Sequence, residues 1–287
     1  MPIPTRVLVL GMARDDGSIQ ADEVYEVAAA CGQTPEQVRS CLRRLVAEGV
    51  FTREGSGRSA RYAPTEDGAA TLGGGLERMR LSYVQDAVGR GWDGRWRLVA
   101  FAVPEAQRSA RDGFRDRLLA LGGAAIQGGL YVSPHPWFDD VRTMAARFGV
   151  EDRLALSESE RLEVAGTTDP RELAARLWPL AEVAERYRRF VEVHEKVPAL
   201  LEERRRRHER LADTDFLPLA LGMAVAYSEA AARDPYLPPE LLPRPWPGRA
   251  AREILLRSRR LALTLREDGA RPALFGMFDA SVLGHLT

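Results

Sequence analysis

Arginines dominate the ionisable side chains between residues 34 and 62. This stretch has six arginines against three glutamates, whereas the whole chain has 41 basic and 41 acidic residues and no net charge. Guanidinium groups bind phosphate oxygens and take both acceptors of a guanine edge. A local positive excess on a neutral chain therefore indicates a surface for nucleic acid. The structural alternative is a solvated helix face and hairpin that carry the same charges.

The element that must present these side chains begins at Thr34-Pro35-Glu36-Gln37. Threonine can cap a helix, proline suits its first position, and a glutamine three residues after the cap completes a capping box. The sequence predicts a helix that stops at Gly49. Its inward stripe is expected to be Val38, Cys41, Leu42, Leu45 and Val46.

The neighbouring elements complete a winged helix-turn-helix order. Helices are predicted over Thr5–Ala13 and Ala21–Ala30, and two alternating strands over Val50–Arg53 and Ala60–Ala63 flank a glycine-containing tip. In that arrangement the helix after the turn enters the major groove, and the hairpin reaches the backbone or the minor groove. The predicted DNA-binding residues are Gln37, Arg39, Ser40 and Arg43 for the groove, Arg53, Arg58 and Arg61 for phosphates, and Thr34 and Arg44.

The remainder of the chain predicts two further domains and hence an α+β multidomain protein. Thr65–Met79 is polar and contains three consecutive glycines, but no strand leads in and no Gly-Lys-Ser/Thr follows, so a hinge is favoured over a phosphate loop. A β-α-β-β-α-β order follows, typical of a ferredoxin-like fold, and the chain beyond Pro170 is helical. The expected domains are 1–72 (winged helix), 95–166 (ferredoxin-like) and 167–287 (helical), with a linker at 73–94.

The composition and the two cysteines indicate where in the cell the protein is expected. No apolar run is long enough to span a bilayer, and the N-terminal apolar stretch lacks a small-residue cleavage site, so neither a membrane anchor nor a signal peptide is predicted. Cys31 and Cys41 do not have the Cys-x-x-Cys spacing. They are expected to be two buried thiols in a reducing cytoplasm.

Long sequence blocks resemble one protein family. The segment GWDGRWRLVAFAVPEAQRSARDGFRDRLLALGGAAIQGGLYVSP resembles the central domain of the PaaX family of transcriptional repressors, and DPYLPPELLPRPWPG resembles a block of that family's C-terminal domain. TPEQVRSCLRRLVAEGVFTREGSGRSARYAPTEDG is similar to its winged helix. The resemblance implies a homodimeric repressor with a Cas2-like middle domain, bound to double-stranded operator DNA. It also implies release by a small-molecule effector, an acyl-CoA in the best-known members, although fold does not fix the ligand.

An enzyme is the main competing class. Some proteins with the Cas2-like fold are metal-dependent nucleases that need carboxylates near the end of the first strand. Here that strand ends Phe101-Ala102-Val103-Pro104, and Asp93 precedes it. The histidines, His135, His194, His208 and His285, are scattered and lack zinc-site spacing. We therefore predict no catalytic residue, no metal and no cofactor; the alternatives are such a nuclease or a nucleic-acid-binding protein without effector control.

No residue can be assigned to the effector from the sequence. The basic helical run 202–208 is compatible with internal ion pairs or with a docking site for phosphates. Several large aromatic residues are compatible with core packing or with a pocket: Trp137, Trp178, Tyr187, Tyr227, Tyr236 and Trp246. The segment after Leu265 has no counterpart in the family resemblance.

Overall fold

The computed structural model describes residues 4–89, 91–267, 272 and 274–280. The chain forms two compact units, each assembled from segments that are distant in sequence. The first contains Met1–Leu81, Tyr187–Ala230 and Pro247–Thr287, and the second contains Ser82–Arg186 and Ala231–Trp246. Within the described ranges, none of the helices has the length and apolar character required to cross a bilayer.

The first unit opens with a small mixed layer of helices and strands. Its three strands form an antiparallel sheet in the order β1-β3-β2. The three predicted helices are present, and the two predicted hairpin strands are displaced by one residue. Strand β1 was not predicted, because two residues are too few to show alternation. The elements are α1 (Thr5–Gly11), β1 (Ile19–Gln20), α2 (Ala21–Ala30), α3 (Pro35–Ala47), β2 (Phe51–Glu54) and β3 (Arg61–Pro64).

The segment after β3 is a helix, α4 (Glu66–Val88), and the prediction of a glycine-rich hinge there was wrong. The hydroxyl of Thr65 accepts a hydrogen bond from the backbone N–H of Gly68 at 2.9 Å and so caps the first turn. Each glycine inside a helix costs about 1 kcal/mol relative to alanine. Tertiary packing offsets that cost, since Leu72 packs against the core of the first unit.

Long helices complete the first unit and share its core. Leu8 of α1 and Phe51 of β2 belong to the same buried cluster as Leu217, Leu221 and Leu261 from the C-terminal helices. The N-terminal elements are therefore packed on these helices. The helices are α8 (Leu180–His194, its first residues in the second unit), α9 (Val197–Arg206), α10 (Asp213–Ala230), α11 (Pro247–Leu265) and the short α12 (Gly276–Phe278).

The second unit contains the predicted β-α-β-β-α-β order, which is confirmed. All neighbouring strands are antiparallel, in the order β5-β6-β4-β7, as in a ferredoxin-like sheet. Along the first strand, Val99 and Phe101 face one core, and Trp96 and Leu98 face another. The elements are β4 (Trp96–Phe101), α5 (Arg108–Ala120), β5 (Ala124–Gln127), β6 (Leu130–Ser133), α6 (Phe138–Phe148), β7 (Leu154–Ser159) and α7 (Pro170–Leu177).

One predicted helix is two helices in the structure. The apolar periodicity over residues 171–195 predicted a continuous helix, but α7 ends at Leu177 and α8 begins at Leu180. Pro179 lies between them, and proline lacks the N–H that a helix interior requires. The indole N–H of Trp178, at the break, donates to the carbonyl oxygen of Gly122 at 3.0 Å. The break thus places this side chain in the core of the second unit.

Candidate nucleic-acid interface

The start of α3 is fixed by the predicted capping box, which is confirmed. The hydroxyl of Thr34 accepts a hydrogen bond from the backbone N–H of Gln37 at 3.3 Å. In return, the backbone N–H of Thr34 donates to the side-chain oxygen of Gln37 at 2.7 Å. Pro35 occupies the first helical turn. Two otherwise unpaired backbone donors are satisfied in this way, so the helix begins at a defined residue.

The helix is strongly two-sided. Val38, Cys41, Leu42 and Leu45 are buried in the core of the first unit. Because these residues recur at helical spacing, the remaining positions form one continuous outward face. Ser40 is half-buried there, and the exposed members of this face are Glu36, Gln37, Arg39, Arg43 and Arg44.

The turn before α3 holds it against its neighbours. Gly32 adopts a positive φ of 71°, which suits glycine. The backbone N–H of Gln33 then donates to the carbonyl oxygen of Ala28 at 2.8 Å, which closes the end of α2. At the far end of α3, Glu48 forms an ion pair with Arg6 of α1 at 2.6 Å. The outward face is therefore supported by both preceding helices.

The arginines of this face differ in their partners. Arg39 lies 3.9 Å from the carboxylate of Glu36, and both side chains are mostly exposed, so the pair is weak. Among the residues that the structure describes, no carboxylate pairs with Arg43 or Arg44. Gln37, expected in the groove, already uses its side-chain oxygen in the capping box. In this conformation its NH2 group is the part that is fully available for a base edge, since the oxygen has one lone pair left.

The hairpin β2-β3 carries the second group of arginines. Its tip, residues 55–60, contains Gly55 and Gly57 with φ of 77° and 64°, values that favour glycine. Arg53 lies opposite Tyr62 in the register of the two strands. Arg53 and Arg58 are exposed, and neither forms an ion pair with a carboxylate of the described chain. Both are therefore available to phosphates.

Arg61 has a different environment from the other predicted phosphate contacts. Its guanidinium pairs with Asp16 at 2.9 Å and with Glu54 at 3.3 Å. Hydrogen bonds to these carboxylates raise the pKa of Arg61. The pKa of Asp16 is lowered, first by hydrogen bonds from Ser18 and then by Arg61. Asp16 was not predicted from the sequence, because it lies 45 positions from Arg61 and meets it through the β1-β3 pairing.

The acidic residues that flank β4, Asp93 and Glu105, are engaged in ion pairs with arginines. Asp93 pairs with the buried Arg97, whose hydrogen bonds hold the pKa of that carboxyl below its usual value. Glu105 pairs with Arg111 at 2.9 Å. In the described part of the chain, no three histidine, cysteine, aspartate or glutamate side chains lie together in a way that would hold a metal ion; His285 lies outside that part.

The basic run of α9 contains internal ion pairs. Glu203 pairs with Arg207 at 2.8 Å and also with Arg206, and Arg257 of α11 pairs with Glu202 at 2.6 Å. These contacts favour the structural interpretation of the run over phosphate docking. Of the aromatic residues considered for a pocket, several are core members; these are Trp137, Trp178 and Tyr187.

Comparisons with known proteins cover most of the chain. Residues 89–174 match the family model "PaaX protein central Cas2-like domain", and residues 178–271 match "PaaX-like protein C-terminal domain". The transcriptional repressor PaaX of Escherichia coli (strain K12) is 26% identical over 261 residues, which is 89% of this chain and 79% of that protein. The solved structure of uncharacterized protein Rv0674 from Mycobacterium tuberculosis has 20% identity and a TM-score of 0.48, over 86% of this chain and 88% of that chain.

The fold and these matches define a class of protein: an α+β transcriptional repressor with a Cas2-like middle domain and a helical C-terminal part. The two family models together take in more than half of the chain. The chain belongs to the PaaX family.

Proposed function

We propose that this repressor reads double-stranded DNA through a winged helix-turn-helix formed by α1 to β3, within the expected domain 1–72. The observation that carries the proposal is the outward face of α3 beside a hairpin on which Arg53 and Arg58 lack acidic partners among the described residues. A helix face of this kind fits the major groove, and a positively charged hairpin fits the adjacent backbone. A regulator of this kind works where the chromosome lies, so we place it in the cytoplasm.

The proposed roles follow from exposure and pairing. Arg39 and Arg43 are placed in the groove, because arginine takes both acceptors of guanine. Ser40 lies between them, and Gln37 contributes through its NH2 group. The remaining contacts are to phosphates, which position the protein without reading sequence; we assign these to Thr34, Arg44, Arg53 and Arg58. Among the predicted DNA-binding residues, Arg61 is proposed to make the weakest contact with DNA, because two carboxylates already compensate its charge.

The repressor is proposed to act as a homodimer under effector control, as the family resemblance implies. A dimer would place two recognition helices about 34 Å apart, one turn of DNA, or a multiple of it. An effector releases DNA only if it binds the DNA-incompetent conformation more tightly. The coupling route we favour runs through the helix α4 and the shared core of the first unit, in place of the glycine hinge expected from the sequence.

A salt titration with a charge-matched control tests the DNA-binding proposal. Fluorescence anisotropy would measure binding to fragments from the promoter region of the chain's own gene at several salt concentrations. The wild type should lose affinity steeply with salt, and the double variant Arg43→Ala/Arg53→Ala should bind more weakly with a smaller salt slope. The control, Arg115→Ala/Arg142→Ala, removes the same charge from α5 and α6 of the second unit. Greater loss in the control would contradict the assigned surface.

Effector control is tested separately, by footprinting with and without acyl-CoA compounds. The proposal expects a protected site upstream of neighbouring genes whose protection fades as one of these compounds is added. Protection that no effector alters would remove the effector control and leave the DNA-binding surface standing. Size-exclusion chromatography with light scattering checks the dimer, and a monomer at the concentrations used for footprinting would contradict it.

A further inference from the structure

The segment 274–280, near the C-terminal end of the chain, contacts two distant helices of the first unit at once. Leu274 is fully buried in the core of that unit, and Phe275 and Met277 pack against the same core. The segment meets α1 through Phe275 and α11 through Asp279. It therefore joins the N-terminal helix to one of the C-terminal helices, and we call it the clasp.

The contact with α1 closes the end of that helix. The backbone N–H of Phe275 donates to the carbonyl oxygen of Gly11 at 2.5 Å. Gly11 is the last residue of α1, and the final carbonyl groups of a helix have no partner within the helix itself. The ring of Phe275 lies against the same residue, because a Cβ atom on Gly11 would be 2.6 Å from it. Only glycine leaves room for the ring at this position.

The contact with α11 is a buried ion pair. Nε and Nη2 of Arg259 donate to the two carboxylate oxygens of Asp279 at 2.9 and 2.7 Å, and Nη2 also donates to the carbonyl oxygen of Leu274. The side chains of Arg259 and Asp279 are only 7% and 22% exposed. Removal of one member of such a pair leaves a buried charge without compensation. The pair is therefore a strong anchor for the clasp.

The backbone of the clasp is strained between its two anchors. Phe275 has a φ of 67°, in the left-handed region that bulky side chains rarely adopt. Such a conformation persists only where the surrounding structure holds it. Here the contacts at Gly11 and at Arg259 hold it from both sides. Loss of either anchor should therefore let Phe275 relax and the clasp open.

The helix that the clasp closes supports the proposed recognition helix. Leu8 and Val9 of α1 are fully buried in the same cluster as Val38 and Leu42 of α3. Because protein interiors are close-packed, a shift of α1 displaces the helix that packs on it. The position of the clasp is in this way coupled to the position of α3.

We infer that the clasp, residues 274–280, positions α1 and thereby holds α3 in the orientation that binds DNA. Phe275 and Asp279 are positioning residues in this arrangement. The inference rests on the proposed function, because DNA binding is the activity that the clasp assists. A surface that is already ordered before binding loses less conformational entropy when it binds. If opening of the clasp leaves about a third to a tenth of the molecules competent, the apparent DNA affinity falls about three- to tenfold.

Two substitutions open the clasp from opposite ends. Asp279→Asn removes the anchor on α11, and Gly11→Ala displaces the ring of Phe275 from α1. Fluorescence anisotropy on the full chain with the promoter fragment should show a loss of about three- to tenfold in DNA affinity for each variant. The control is Asp215→Asn, an exposed residue of α10 in the same unit. Removal of a negative charge favours DNA binding by itself, so the control should bind at least as tightly as the wild type.

The double variant Gly11→Ala/Asp279→Asn distinguishes a shared clasp from two separate defects. Because both substitutions open the same segment, the double variant should bind DNA little more weakly than the weaker-binding single variant. Independent effects would instead multiply. Losses that multiply, or DNA affinity that neither single variant lowers, would overturn the inference.

Hydrogen exchange without DNA measures the opening directly. In each single variant, peptides that cover α1 should exchange faster, whereas peptides from α9 of the same unit should exchange as in the wild type. Unchanged exchange in α1, or a rise throughout the unit in both variants, would overturn the clasp.

The two measurements separate this inference from the proposed function. A wild type that binds no DNA overturns the DNA reader, and hydrogen exchange then still decides whether the clasp holds α1. Faster exchange in α1 with unchanged DNA affinity overturns the positioning role and leaves the DNA reader standing.

Discussion

The backbone of Gly68 packs directly against the carbonyl group of Val50, so that a Cβ atom on Gly68 would lie 1.9 Å from the carbonyl oxygen. That oxygen also accepts a hydrogen bond from the backbone N–H of Thr65 at 3.0 Å. Both contacts join the first turn of α4 to the residue that precedes β2. Helix α4 is thereby fastened to the base of the hairpin.

Gly68→Ala should therefore destabilise the protein, and a second glycine of α4 provides the control. Because the carbonyl of Val50 is held in place, the added methyl group forces a backbone shift that costs about 1–3 kcal/mol. Gly73→Ala meets nothing within 4 Å and should raise the free energy of unfolding by about 0.5–1 kcal/mol. Urea unfolding followed by circular dichroism measures both. Equal effects of the two substitutions would contradict the close approach.

The salt dependence of DNA binding should distinguish Arg58 from Arg61. Arg58 has no acidic partner in the described chain, so Arg58→Ala should lower the slope of log K against log salt by about one phosphate contact. Arg61 is compensated by Asp16 and Glu54, so Arg61→Ala should change the slope less. Anisotropy titrations at four or more salt concentrations suffice. A larger change in slope for Arg61→Ala would show that DNA displaces its carboxylate partners.

Acid should remove the contribution of the Asp93–Arg97 pair. The pKa of Asp93 is lowered in the folded state, chiefly by the hydrogen bond from Arg97. The carboxylate of Asp93 therefore contributes fully to the stability of the folded state above the unfolded pKa of about 3.9. This stability is lost as the pH falls through the lower pKa that Asp93 has in the folded state. Asp93→Asn should cost about 1 kcal/mol at pH 7, a figure reduced because the carboxylate is half exposed.

Urea unfolding of wild type and Asp93→Asn between pH 7 and pH 3 checks this, and Asp152→Asn serves as an exposed control. The difference between wild type and Asp93→Asn should shrink toward the acid end of the range. A difference that grows as the pH falls would mean that the carboxylate is not the group responsible.

Local sequence signals predicted the elements that carry the proposed interface well. The capping box at Thr34 and the glycine stop at Gly49 set both ends of α3 within a residue or so, because these signals act over one turn of helix. In the second unit, apolar residues that alternate or recur at helical spacing similarly predicted the order of the strands and helices. Such short-range chemistry is encoded by neighbouring residues and needs no knowledge of the tertiary fold.

Contacts between residues that are far apart in the chain could not be predicted from the sequence. The glycines of α4 predicted a hinge, because the packing of Leu72 that offsets their cost comes from distant segments. The partner of Arg61 is Asp16, brought to it by a two-residue strand. An apolar cavity in the first unit combines residues from five separate segments of the chain. These features depend on tertiary packing, which overrides local propensity.

The recognition of DNA bases can be tested most directly at Arg43, which is exposed at the centre of the outward face of α3. If it takes both acceptors of a guanine, Arg43→Ala should weaken binding to the protected promoter site by about 1–3 kcal/mol and affect random DNA much less. Arg43→Lys keeps the charge but loses the planar fork, so it should preserve the salt slope while losing specificity. Competition anisotropy with promoter and random duplexes measures the specificity ratio for each variant. An equal loss on both duplexes for Arg43→Ala, with full rescue by lysine, would make Arg43 a phosphate contact and transfer the reading of bases to Arg39 and Ser40.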